Sequence, residues 1–203
     1  MDYRTDRMQD LIAETFINCL EQEDFSTLTV GQIAKEARIS RSTFYRYFED
    51  KYLLRDCVTD HVVEDFVSNL EVDFLDVDIQ KSQKHTDILR SSLERVFSRK
   101  RELEILWNQK LLGRNVFEEM IDSGAKKIET AILSHDNIPA ARKKYADWYA
   151  KLLANNMLVT IRWWFSHSEE VTSEQVTAMM KQHMMCGTIP TLKSENGISE
   201  ESV

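Results

Sequence analysis

The chain has very little proline and glycine, with two prolines and five glycines among its 203 residues. Both residues weaken helices, so their scarcity, together with abundant Leu, Glu, Lys and Met, favours helical structure. No run of alternating apolar and polar residues stands out, so the pattern gives no support for β-strands. Apolar residues make up 42% of the chain, which is enough for a hydrophobic core. We therefore predict an all-α protein.

Cysteine is also scarce, with three widely spaced residues, Cys19, Cys57 and Cys186. An odd number of distant cysteines gives no disulfide framework. Cys19 and Cys57 fall on apolar faces of helical patterns, so we expect both to be small core residues. The sequence shows no signal-peptide pattern and no apolar run of about 18 residues. We therefore expect a soluble cytoplasmic protein with reduced thiols and no membrane contact.

Positive charge is in deficit, because the net charge of the chain is −8. This value alone argues against nucleic acid as a partner. Residues 35–55 are the exception, since six basic residues against three acidic ones give this stretch a local charge of +3. The basic residues are Lys35, Arg38, Arg41, Arg46, Lys51 and Arg55. A small basic region on an acidic protein suits DNA binding at one end only.

Residues 29–54 have the pattern of two short helices joined by a tight turn and followed by the start of a third. Thr29, with Gln32 three residues later, has the spacing of a capping box, and Ser40 is a second N-cap candidate. Phe44 and Phe48 share one face of the second helix. The side chains on its other faces are rich in hydrogen-bond donors. A helix packed by one face in this way suits the major groove of DNA.

This segment resembles the DNA-binding domain of the TetR family of transcriptional regulators. The resemblance covers about residues 8–60, and it departs from the family pattern at Arg38, where glycine usually occupies a left-handed turn, and at Tyr52. The matching residues are Thr29, Ile33, Ala34, Ala37, Ile39, Ser40, Ser42, Thr43, Phe44, Tyr45, Tyr47, Phe48, Lys51 and Leu54. The resemblance implies a three-helix helix-turn-helix domain that binds double-stranded DNA, and a protein that is not an enzyme.

The resemblance also implies roles for individual residues. The positions that usually contact phosphate are Thr29, Ser40, Tyr45, Tyr47 and Lys51. The positions where base-edge contacts arise are Arg41, Ser42, Thr43 and Arg46. Physically, hydroxyl groups bind phosphate well, and arginine can bind guanine through two hydrogen bonds. A lone basic and aromatic cluster is usually an ordinary solvated surface, but the two N-caps and the helical spacing favour DNA.

The patterns predict three parts along the chain. Residues 1–50 form the helix-turn-helix domain, and a linking helix occupies 50–70. Residues 71–190 form a helical bundle for ligand binding and dimerisation, and residues 191–203 are a polar, disordered tail. The helical patterns of the bundle cover about residues 85–99, 101–112, 114–135, 140–168 and 173–187.

The predicted helix 140–168 is apolar around more than one stripe, so it should be covered on two sides. One side can face its own domain and the other a second subunit, as in the dimers of the TetR family. The residues expected at this interface are Trp164, Val176, Met180, His183 and Met184. Residues 149–165 also resemble a TetR subgroup that includes activators of dihydroxyacetone metabolism.

Six aromatic and amide side chains are candidates for an effector pocket, namely Trp107, Asn108, Trp148, Tyr149, Asn155 and Trp163. Aromatic residues at helical spacing are more often core or interface. Two weak ligand pairs, His183 with Cys186 and His135 with Asp136, do not make a metal site. We find no Gly-rich phosphate loop, nucleophile elbow or HExxH motif. We predict no metal and no cofactor.

The sequence as a whole predicts a homodimeric transcriptional regulator that binds a palindromic operator in double-stranded DNA and responds to a small-molecule effector. One alternative is a regulator controlled by a protein partner, without a pocket. The other is a helical ligand-binding protein or enzyme whose helix-turn-helix is only structural.

Overall fold

A computed structural model describes residues 3–72, 82–111, 113–136 and 138–187, with side chains from residue 7 onward. Within these residues the fold consists of ten helices without a β-strand, which confirms the predicted all-α class. The helices are α1 (Tyr3–Gln22), α2 (Val30–Glu36), α3 (Arg41–Tyr47), α4 (Lys51–Ser68), α5 (Gln83–Ser98), α6 (Lys100–Asn108), α7 (Val116–Ser134), α8 (Ala140–Lys143), α9 (Ala146–Ser166) and α10 (Ser173–Cys186). The predicted tail at 191–203 lies outside the described residues.

The chain folds into two compact units. The first, called the head unit here, contains the described residues of 1–68 and 99–120, and the second, the body unit, contains those of 69–98 and 121–187. This division differs from the expected boundaries near residues 50 and 70. The reason is that α6 is tied to α1: the Arg101 guanidinium contacts Glu21 at 2.5 Å, and the Gln109 side-chain amide donates to the Leu20 carbonyl.

The core of the head unit is built from apolar side chains of four helices and one loop. Ile12 and Phe16 of α1 are fully buried, as are Phe25 in the following loop, Phe44 of α3 and Leu54 of α4. The rings of Phe16 and Phe25 meet edge to face with centroids 6.0 Å apart. This core holds α2 and α3 in place. Each helix has only seven residues and would not be stable alone.

Local signals set both ends of α2. The Thr29 hydroxyl accepts from the Gln32 amide, while the Gln32 side chain accepts from the Thr29 amide, so the predicted capping box is present. At the other end Ile39 N–H donates to Ala34 and Arg38 N–H to Lys35, which is a Schellman motif. Arg38 has φ +56°, so it occupies the left-handed turn where glycine is usual.

The body unit is organised around α9. Its buried face carries the small residues Ala146, Ala150 and Ala154 as well as larger ones. The ring of Phe97 from α5 packs against Trp164 with centroids 4.7 Å apart. Helix α10 lies beside α5, where the Lys181 ammonium donates to Thr86 at 2.8 Å.

The predicted single helix 140–168 is wrong in one respect, because the chain turns between α8 and α9. Arg142 N–H donates to the Pro139 carbonyl at 2.8 Å, and Tyr145 N–H donates to Arg142 at 3.1 Å. These three-residue spacings tighten the backbone and interrupt the α-helical ladder. Helix α9 then starts at Ala146, the first residue of its buried face.

The expectation that Cys57 is a core residue is also wrong, since its side chain is exposed, and Cys19 is half-buried. Partial burial raises the pKa of the Cys57 thiol above its ordinary value, and the carboxylates of Asp60 and Asp56 raise it further. No helix within the described part of the chain is long and apolar enough to cross a membrane.

Candidate nucleic-acid interface

Helix α3 presents its polar side chains outward. Phe44 and the C-cap residue Phe48 are buried, whereas Arg41, Ser42, Tyr45 and Arg46 are exposed. The Tyr45 side chain is 55% exposed, and its ring packs edge to face on Phe44. Thr43 and Tyr47 are half-buried. The helix is thus held by one face and offers donors on the others, as the sequence predicts.

The hydroxyl of Ser40 fixes the start of this helix. Its oxygen accepts from the Thr43 amide at 3.0 Å, and it lies within hydrogen-bond distance of the hydroxyls of Ser42 and Thr43 at 2.7 and 2.8 Å. The predicted N-cap is therefore confirmed. The three hydroxyls form a polar cluster at the first turn of α3.

Thr29, another predicted phosphate contact, has its hydroxyl engaged at the start of α2. This hydroxyl donates to the Gln32 side-chain oxygen at 2.5 Å, and the Gln32 amide nitrogen donates onward to Glu23 at 2.6 Å. These two hydrogen bonds connect the start of α2 to Glu23, just after the end of α1. The structure thus gives Thr29 a role in shaping the domain.

Lys51 was expected to present its charge to phosphate, but the structure places its ammonium elsewhere. The Nζ atom donates to the carbonyls of Phe25, Ser26 and Leu28 at 2.8, 3.2 and 2.6 Å. An ammonium group has three N–H donors, so these three carbonyls can accept all of them. Lys51 therefore closes the loop between α1 and α2, and its charge also lies 4.8 Å from the centroid of the Phe25 ring.

These helices are the part of the chain that matches a known family. Residues 12–56 match the model of the bacterial regulatory proteins of the tetR family. The matched stretch runs from the middle of α1 into α4, and it supports a DNA-binding transcriptional regulator with a TetR-type helix-turn-helix. It ends before residues 149–165, so the resemblance of that segment to a TetR subgroup stays a prediction. No curated protein matches the chain.

Three of the five side chains predicted at a dimer interface are buried within their own chain. Trp164, Val176 and Met180 are almost fully buried in the body unit, and Trp164 donates its indole N–H to the Val171 carbonyl at 2.8 Å. His183 and Met184 are half-buried. The first three residues therefore form core rather than a free surface, because the face of α9 with Trp164 and the inner face of α10 pack within the unit.

The opposite face of α9 carries an apolar surface, which we call the α9 outer face. It consists of large exposed side chains that recur at spacings of three, four and seven residues. Its members are Tyr145, Trp148, Tyr149, Leu152, Val159 and Trp163, each between 39% and 59% exposed. The spacing from Tyr145 through Leu152 to Val159 repeats every seven residues, a signal in the sequence that could have identified this face.

The predicted effector residues are divided between the two units. Trp107 and Asn108 belong to the head unit, whereas Trp148, Tyr149, Asn155 and Trp163 belong to the body unit. Trp107 is a core residue there, with its indole N–H 3.4 Å from the sulfur of Met120 and its ring against Phe117. Trp163 stacks on His167 at the surface, with ring centroids 4.5 Å apart.

A groove of about 570 Å³ does exist in the head unit, among side chains of α1, α4 and the start of α6. Its walls mix apolar side chains with charged and ionisable ones, including Glu14, His61, Arg99 and Arg101. Arg99 and Arg101 are already paired with carboxylates, Arg99 with Asp65 and Arg101 with Glu21, and none of the six predicted effector residues lines the groove. Among the described residues there is no cluster of three or more potential metal ligands.

Proposed function

We propose that this protein is a homodimeric transcriptional regulator that reads a near-palindromic operator through α3. The observation that supports the proposal most directly is the outward face of α3, where Ser42, Tyr45 and Arg46 are exposed on a TetR-type domain. The major groove admits an α-helix, and α3 is capped by Ser40 and anchored by Phe44, so its polar side chains are held outward for such contact.

Within this proposal the exposed residues divide by chemistry. Tyr45 and Tyr47 contact phosphate through their hydroxyls, and Arg41, Ser42, Thr43 and Arg46 face the base edges. Thr29, Ser40 and Lys51 act mainly by holding α2, α3 and the preceding loop in place, because their polar atoms already have partners in the chain. DNA contacts by Thr29 and Ser40 are still compatible with their exposure.

In vitro selection from duplexes with a randomised core, followed by footprinting of the selected sequence, tests the DNA-reading part. We expect two inverted half-sites whose centres lie about 34–36 Å apart, or somewhat more, because a twofold dimer presents two copies of α3. Protection that is equal on all sequences would refute sequence-specific reading. A single, asymmetric half-site would refute the dimeric arrangement.

The α9 outer face supports a second copy of the chain as the partner. A twofold interface uses the same patch on both subunits, so one exposed face on each is sufficient. Four of its members are aromatic, and a covered aromatic side chain buries about 150–250 Å². Because these four rings are 39% to 59% exposed, they would supply about 300–500 Å² of the roughly 800 Å² per partner that a standard interface buries.

Replacing Leu152 with glutamate tests the dimer. Leu152 lies at the centre of the α9 outer face, so an unpaired carboxylate there should convert dimers to monomers and weaken operator binding. Thr130→Glu on the exposed face of α7 adds the same charge to the body unit and serves as the control. Sedimentation velocity separates the outcomes, since a dimeric Leu152→Glu or a monomeric wild type would contradict the proposed interface.

The proposal includes control by a small-molecule effector, and this part rests on the TetR resemblance. The assignment of the six predicted effector residues to its pocket stays a prediction. A library of neutral metabolites screened for a change in both indole fluorescence and operator affinity tests this part. If only a protein partner alters the affinity, the alternative of partner control replaces it.

A further inference from the structure

Gly31 of α2 lies directly beneath the side chain of Arg41, the first residue of α3. A Cβ atom placed on Gly31 would meet the guanidinium of Arg41 at 2.6 Å from Nη2 and at 3.1 Å from both Cζ and Nε. These distances mean that the guanidinium occupies the space that a side chain at position 31 would fill. The contact joins the two helices of the helix-turn-helix through one residue that has no side chain.

Local helix preference does not explain a glycine at this position. Gly31 is the second residue of a seven-residue helix that begins with a complete capping box. Glycine is the least favourable residue for a helix after proline, because its backbone loses the most freedom on folding. Its backbone φ is not in the left-handed region, so alanine could adopt the same conformation. What glycine supplies here is the space that the guanidinium of Arg41 occupies.

The direction of the Arg41 side chain depends on that space. Arginine has a long stem with many rotamers, and a binding residue gains selectivity when its planar group is oriented before binding. The Cα atom of Arg41 is fixed by the Ser40 cap and by burial of Phe44. The surface on which the guanidinium rests therefore sets where it points, and a methyl group on Gly31 would displace it.

We propose that Gly31 is a specificity-determining position that acts through Arg41. Gly31 touches no base itself, so it is a positioning residue. Its empty Cβ position aims the Arg41 guanidinium at one base position in each half-site. This inference rests on the proposed DNA-reading function and adds a residue of α2 to the residues that set base preference.

Selection from randomised 30-base-pair duplexes, with sequencing of the bound fraction, tests the proposal. Wild type should show one position with a strong guanine preference that Arg41→Ala removes, since a bidentate arginine discriminates by about 5- to 150-fold. Gly31→Ala should reduce the preference at that same position at least fivefold. In the Arg41→Ala background, Gly31→Ala should change nothing, because the side chain through which it acts is missing.

Two controls separate positioning from a general effect on the fold. Gly31→Ala should leave the unfolding midpoint equal to or above that of wild type, because alanine favours helix. Gly31→Ser carries the same Cβ atom and should lose the same base preference, so the test does not depend on one variant. In the Arg46→Ala background, Gly31→Ala should keep its full effect, since Arg46 lies on the last turn of α3.

The outcomes are distinct. A Gly31→Ala variant with the wild-type preference at every position overturns the inference while leaving the proposed function intact. A change that persists without Arg41 also overturns it, because the effect then runs through another group. A wild-type protein that selects no sequence at all defeats the proposed function, and the inference with it.

Discussion

Replacing Lys51 with methionine separates a structural role from a phosphate contact. Methionine keeps most of the apolar stem but removes the ammonium that donates to the carbonyls of Phe25, Ser26 and Leu28. If the loop between α1 and α2 depends on these bonds, the variant should lose stability. If Lys51 mainly neutralises a phosphate, the variant should keep its stability, and the salt dependence of its DNA binding should become weaker.

The size of the expected loss follows from the three contacts. Hydrogen bonds to a charged group contribute about 1.5–3 kcal/mol each. Two of the three lie in part-buried surroundings and one is exposed, so water replaces much of what is lost. The ammonium also rests over the Phe25 ring, a contact worth about 0.5–1 kcal/mol. We expect Lys51→Met to lower the free energy of unfolding by roughly 2–4 kcal/mol in total.

Urea unfolding followed by far-ultraviolet circular dichroism measures this loss, and salt titration of operator binding measures the alternative. Lys35→Met removes the same charge from the exposed surface of α2 and serves as the control. A phosphate contact would lower the slope of log affinity against log salt by about one. The structural role of Lys51 is refuted if Lys51→Met unfolds like Lys35→Met and its salt slope falls by one.

Three further substitutions or measurements address other features. Arg38→Gly should raise the free energy of unfolding by about 0.5–1 kcal/mol in a urea titration, because Arg38 holds φ +56°, and no gain would contradict a strained turn. Met180→Glu should abolish the near-ultraviolet dichroism of the body unit, since Met180 is buried. A folded monomer would instead support the predicted position of Met180 at the dimer interface. The alkylation rate of Cys57 by iodoacetamide should reach its half-maximum above the pH found for a free cysteine, because partial burial and then the carboxylates of Asp60 and Asp56 raise the pKa of its thiol. A midpoint at or below that pH would refute this effect.

The features of this fold that are local in sequence could be predicted from it. The caps at Thr29 and Ser40 and the left-handed turn at Arg38 depend on residues within three to five positions, so a short string carries the whole signal. The burial of Phe44 under α3 follows in the same way from its spacing to Phe48. These features define the local geometry of the candidate interface that the sequence predicted.

The features that depend on distant partners could not be predicted. Nothing near Lys51 in the sequence shows that carbonyls 23 to 26 residues earlier accept its hydrogen bonds. Periodicity shows that α9 has two apolar faces, but it does not show which one packs inside. The structure puts the face with Ala150 inside and the face with Trp148 outside. Trp164, which we predicted at the dimer interface, is therefore a core residue.

The two faces of α9 have a consequence for how the body unit responds to concentration. Its inner face carries small alanines, and large side chains such as Trp148 and Leu152 remain in water on the outer face. If a second copy covers that outer face, part of the stability of each body unit comes from association and obeys mass action. Its thermal midpoint should then rise with protein concentration, and at very low concentration the protein would lose body-unit stability and DNA affinity together.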